Sequence, residues 1–114
     1  MIIEKLIELF NGSDLDAPAF SEIPKDHVPE EYYVIELIGD SLINKIETAT
    51  VVIRAYAKSM VRASDLAYDA DNFMLNGAIM DDMISGITRN TIANVTDQST
   101  KKYRYQGVYV ITHY

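Results

Sequence analysis

The chain has 114 residues and a mass of 12.9 kDa, enough for one domain around one hydrophobic core and too little for a second catalytic domain. Apolar residues make up 48% and charged residues 24%, the balance of a chain that buries enough surface to fold. Lys and Arg number 10 against 17 Asp and Glu, a formal charge of −7 that repels phosphates and argues against sequence-specific nucleic-acid binding, while the absence of Cys excludes disulfides, thiolate zinc ligands and a Cys nucleophile.

Ile3, Leu6, Ile7 and Phe10 share one stripe at helical spacing and predict a short first helix, closed by Asn11-Gly12 through a left-handed glycine. Glu4, Lys5 and Glu8 interrupt this segment, so a signal peptide is not expected, and no stretch approaches the roughly 20 apolar residues of a membrane span. Residues 13–31 carry Pro18, Pro24 and Pro29, which leave room only for a short edge strand at residues 19–23.

Residues 32–38 predict a half-buried strand with Tyr33, Ile35 and Leu37 on one face and Glu36 on the other. Gly39-Asp40-Ser41 predicts a turn, and residues 46–57 a second, longer strand alternating Ala49, Val51, Ile53 and Ala55 against Thr48, Thr50, Arg54 and Tyr56. Ser59 is placed to cap a second helix whose stripe is Ala63, Leu66, Ala67, Ala70, Phe73 and Met74, with Gly77 closing it. Residues 84–95 and 103–113 flank a polar turn at 96–100 and predict a closing hairpin.

Helix, strands, helix, strands in that order predict a single α+β domain over residues 1–114. Its architecture is a mostly antiparallel sheet with two helices packed on one face and long hairpins extending from the core. At about 3.3 Å per residue the strands at 46–57 and 103–113 reach roughly 35–40 Å. That is long against a radius of gyration of about 13 Å for a chain of this size. Such strands are expected to overhang, with unpaired backbone groups that a neighbouring copy completes.

Few residues suggest chemistry. Gly39-Asp40-Ser41-Leu42 after a strand resembles the place where some esterases carry a nucleophilic Ser41, but Val110 stands where those enzymes have an Asp three residues before a His, here His113. A hairpin turn is the better reading. His27 and His113 have no metal-binding partner at helical or short spacing, and Asp69-Ala70-Asp71-Asn72 and Asp81-Asp82 read as solvated acidic surface, so neither metal nor cofactor is expected. Lys101, Lys102, Tyr103, Arg104 and Tyr105 interleave bases with rings as a single-strand binder would, against the plainer reading of Tyr as cross-strand packing.

Two strings carry a resemblance. Lys102-Tyr103-Arg104-Tyr105-Gln106-Gly107-Val108-Tyr109-Val110-Ile111-Thr112-His113-Tyr114 resembles the closing strand of the small tail terminator, or tail completion, proteins of long-tailed phages and prophages of Gram-positive bacteria. Thr48-Ala49-Thr50-Val51-Val52-Ile53-Arg54-Ala55-Tyr56-Ala57-Lys58-Ser59 with Ala63-Ser64-Asp65-Leu66 is similar to that family's long strand running into its helix. The resemblance implies a non-enzymatic virion assembly protein that forms a homo-oligomeric ring, commonly a hexamer, on the end of the tail tube. Such a ring stops polymerisation of the tail tube protein and offers a surface to the head-tail connector protein, in the host cytoplasm during assembly and at the virion neck afterwards. A head-side connector or adaptor is the same-class alternative, and a Ser41-dependent esterase a distant one.

The residues expected at interfaces are Asp40, Ser41 and Asn44 at one hairpin tip (39–44) and Asp97, Lys101 and Lys102 at the other (97–102). Arg54, Tyr56, Arg104 and Tyr105 join them from the long strands, Arg and Tyr being the types that carry interface energy.

Overall fold

Alternating apolar residues and two apolar helical stripes must bury against one another, and the computed structural model, which describes residues 2–43, 46–97, 99 and 102–114, places them in two layers. Helix α1 (Ile2–Asn11) leads through β1 (Ala19–Phe20) into β2 (Tyr32–Ile43) and β3 (Ile46–Ala57). Helix α2 (Met60–Asn76) and a 3-10 turn (Ala78–Met80) then precede β4 (Ile84–Asn94) and β5 (Tyr103–His113). The five strands lie in the order β1-β2-β3-β5-β4, antiparallel except for the β1-β2 pair. The fold is α+β, with both helices on one sheet face.

Between helices and sheet lies one continuous core in which Leu6, Phe10, Leu66 and Met74 meet Tyr33, Ile35, Val51, Ile53, Tyr109 and Ile111. Phe10 makes edge-to-face contacts with Tyr33 at 5.4 Å and Phe73 at 5.2 Å, joining α1, β2 and α2. The two large phenols of this core satisfy their hydroxyls on α2: Tyr33 donates to the Leu66 carbonyl at 2.7 Å and Tyr109 to the Asp71 carboxylate at 2.9 Å. Burial raises the pKa of both, and for Tyr109 the hydrogen bond to Asp71 adds to it. Ser59 caps α2, accepting from the Arg62 amide at 3.2 Å.

Four expectations are corrected. The strand predicted to end at Ile38 runs on through Gly39, Asp40 and Ser41 to Ile43, because a bulge between Leu37 and Gly39 absorbs one residue and keeps the pairing with β3. Asn44 lies outside the described residues. The short edge strand stops at Phe20 rather than residue 23, and Asn11 bonds both the amide and the carbonyl of its first residue, Ala19, at 2.8 and 3.1 Å. Gly12 is not left-handed; Gly77 does close α2, its amide donating to the Phe73 carbonyl, but at φ −110°, and what it supplies is room, since a Cβ there would lie 2.8 Å from the Phe73 ring.

The fourth correction concerns the long strands. Both β3 and β5 are interior, flanked on each side by paired strands over nearly their whole length, so their backbone is matched within one chain. The hairpin of β2 and β3 does extend past the buried core, residues 38–42 and 46–47 being exposed in a molecule of 45 × 25 × 25 Å, but the backbone of β3 there is paired rather than open. These two segments are buried on both faces in part, which is the position continuous β-branched runs such as Val51-Val52-Ile53 favour. The open backbone belongs instead to β4 and to β2 beyond its pairing with β1.

Candidate interface

The sheet face opposite the helices holds three cross-strand rows. Tyr32, Tyr56 and Arg104 form the first, Val34, Arg54 and Gln106 the second, and Glu36, Val52 and Val108 the third. Among the described residues no helix lies on this face, yet Val34 is only 2% and Val52 only 3% exposed. The Tyr32 and Tyr56 rings, stacked at 4.7 Å and 10°, pack with Val34, and along the same face Arg54 bonds Glu36 at 2.6 Å. Phe20 closes the margin with an edge-on contact to Tyr32 at 6.3 Å. Burial, with a smaller contribution from neighbouring Tyr56, raises the Tyr32 pKa.

Arg104 is aimed by its Nε donating to the Val95 carbonyl at 2.8 Å, and Thr96 Oγ1 accepts from its backbone amide at 3.2 Å. Together Glu36, Arg54, Tyr56, Val95, Arg104 and Gln106 line a depression of about 440 Å³. This is a polar, partly ion-paired surface over a thin apolar layer, of the kind that Arg and Tyr make at protein interfaces.

The expected interface residues separate into three places. Arg54, Tyr56 and Arg104 converge on this open face. Tyr105, adjacent in sequence and therefore on the other side of the pleat, packs half-buried against the helix-side core. Asp40 and Ser41 are exposed near the far end of β2, and Lys102 is exposed at the opposite end of the sheet, bridged to Asp97. Asp97 also accepts from the amide and hydroxyl of Ser99 at 3.0 and 2.7 Å. Lys101 lies outside the described residues. Since β5 runs antiparallel to β3, the two hairpin ends stand at opposite poles of the sheet and cannot form one patch.

Ser41 pairs with Thr48, whereas His113 pairs with Glu47 one residue along and points to the helix side, buried, with Nε2 3.6 Å from Glu47. Two strand spacings, about 10 Å, and the sheet itself separate Ser41 from His113. The acidic run at 69–72 is likewise divided: Asp71 turns inward to Tyr109 and to Arg89 at 3.4 Å, while Asp69 stays exposed. Asp81 receives Lys5 at 3.3 Å and the Met83 amide at 3.0 Å. Among the described residues no group of three or more His, Cys, Asp or Glu is arranged to hold a metal ion, and no buried side-chain polar atom lacks a partner.

Sequence reasoning missed the Glu36–Arg54 pair and the Tyr32–Tyr56 stack. Both follow from register alone, since Tyr32 lies opposite Tyr56 and Val34 opposite Arg54. The unequal lengths of the two predicted strands hid that register. No helix among the described residues is long and apolar enough to cross a membrane. No protein-family model matches the chain, and no curated protein is significantly similar to it.

Proposed function

We propose that the chain is a non-enzymatic structural subunit that assembles side by side with its own copies into a ring, a tail terminator that caps the tail tube of a long-tailed phage. The observation that carries this reading is the state of the sheet margins. Among the described residues the outer edge of β4 and the outer edge of β2 past Val34 have no strand beside them, on opposite sides of one sheet, and a ring uses two different margins of each subunit. The resemblance of the β3-to-α2 and β5 segments to tail terminators supports the assignment to that ring. A formal charge of −7 suits a ring through which DNA must slide without sticking.

The function is geometric. A closed ring matching the tube's end leaves no site for the next tube subunit and offers its other surface to the head-tail connector. Polymerising the tail tube protein with and without the purified chain tests this directly: added chain is expected to shorten the tubes and to sit at one end of each. Deleting the gene should give tails of uncontrolled length that fail to join heads. Normal tails, joined to heads, in the deletion strain would remove the reading, and binding to head-side connector rings with none to tube would reassign the protein to the neck.

A further inference from the structure

We infer that the ring closes by antiparallel pairing of β4 of one copy with the segment of β2 around Asp40 of the next, Arg89 of one copy lying opposite Asp40 of the other. The inference rests on the assembly reading above and names its contact.

Charge selects the partners. Arg89 is the sole charged residue of β4, and it is the central residue of Ile84–Asn94. A two-fold pairing of β4 with itself at full overlap therefore sets Arg89 against Arg89. The exposed run of β2, residues 38–42, is centred on Asp40, its sole charge, so β2 paired with itself sets Asp40 against Asp40. Like charges directly opposite in a sheet are destabilising and opposite charges are favourable. Arg89 touches Asp71 at 3.4 Å within its own chain but keeps 41% side-chain exposure, so it can meet a second carboxylate, and only the head-to-tail combination sets opposite charges against each other.

Direction and pleat agree with this choice. Three successive antiparallel pairings make β4 antiparallel to β2 within one chain. Rotating a copy about an axis parallel to the strands therefore delivers its β2 antiparallel to β4. With Arg89 opposite Asp40, Thr88 falls opposite Ser41 and Ile87 opposite Leu42.

Face by face these pairs match. Asp40 and Leu42 share the pleat of Ala49 and lie toward the helix side, as Arg89 and Ile87 do through Tyr109 and Ile111. Ser41 and Thr88 lie toward the open side. Past the centre each strand carries a bulge, between Leu37 and Gly39 in β2 and between Arg89 and Thr91 in β4. The two extra residues, Ile38 and Asn90, fall one position apart, opposite Thr91 and Gly39, so the two face reversals cancel and the same register continues as Ile92 against Leu37, both toward the helix side. A bulge on one strand alone would turn every later side chain to the wrong face. The pairing also covers Leu42, which is 67% exposed in the single chain.

The chain has no Cys, so engineered thiols report the contact cleanly. Residues directly opposite in an antiparallel pair have Cα atoms about 4.5–5.5 Å apart, within disulfide range. Ser41→Cys chain mixed with Thr88→Cys chain at high concentration, under mild oxidation, is expected to give a mixed disulfide dimer that neither chain gives alone, and the double variant a covalent ladder. Asp40→Arg, at an exposed position, should keep the fold by circular dichroism and slow the mixed cross-link about tenfold.

Cross-linking of Thr88→Cys by itself as readily as the mixture, an undiminished yield with Asp40→Arg, or no mixed dimer at any concentration would each overturn the inference. Covalent rings that leave tube length unchanged would keep this contact and remove the capping function. Tubes capped by a ring that never forms the Ser41–Thr88 cross-link would do the reverse.

Discussion

On the helix side of the sheet, Ile35, Val51, Ile53 and Ile111 are sealed beneath α1 and α2. On the other side, Val34 and Val52 are almost as inaccessible with no helix above them. The first layer is excluded from water by apolar side chains at many contacts. The second is shielded at Val34 by two tyrosine rings, beside a part-buried ion pair of Arg54 with Glu36. The first seal belongs to folding. The second is thin, polar on its outer side and partly open at the depression between Arg54 and Arg104, which leaves that surface suited to contact with another molecule.

Stability measurements can break this comparison, beginning where the effect is largest. Leu66→Ala, at a fully buried position on α2, should cost about 2–5 kcal/mol in denaturant unfolding. Val52→Ala, as well buried but on the open face, should cost about 1–2 kcal/mol. Equal losses would mean that the two layers are one core. Tyr109→Phe keeps the ring but leaves the buried Asp71 carboxylate without its phenol donor, and should cost about 1–3 kcal/mol at neutral pH.

The same tyrosine gives a pH dependence with a definite sign. Its pKa is raised in the folded chain above the ordinary value of 10.0, so its contribution is complete below pH 10 and is lost as pH rises beyond it. Wild-type stability should fall on the alkaline side, and Tyr109→Phe should flatten that limb; an unchanged slope would show that the phenol is not held neutral by burial. The smallest effect belongs to the open face. Arg54 and Glu36 keep 25% and 45% side-chain exposure, so a double-mutant cycle should give a coupling of about 1 kcal/mol or less, weakened further by salt. A much larger coupling would make this pair part of the fold rather than of a contact surface.

Much of the molecule was legible along the chain. The stripe Ala63, Leu66, Ala67, Ala70, Met74 and the cap at Ser59 gave α2, and alternation gave β3 and β5 with their observed ends. Gly39 misled, because glycine marks both turns and bulges and the choice depends on whether a partner strand continues beside it. The strings Arg54, Tyr56 and Arg104 pointed to one surface, but adding Tyr105 to them ignored the period of two that sends neighbours on a strand to opposite faces.

Local order thus determined the elements: periodicity, capping and proline placement act within a few residues and need no knowledge of what lies across the sheet. Tertiary structure alone decided which strands were interior and which were edges, because hydrogen-bond partners in a sheet come from distant parts of the chain. Strand length suggested open backbone in β3 and β5, yet pairing enclosed both and moved the free edges to β2 and β4. The two margins on which assembly would depend were therefore set by strand order, a property that no single segment carries.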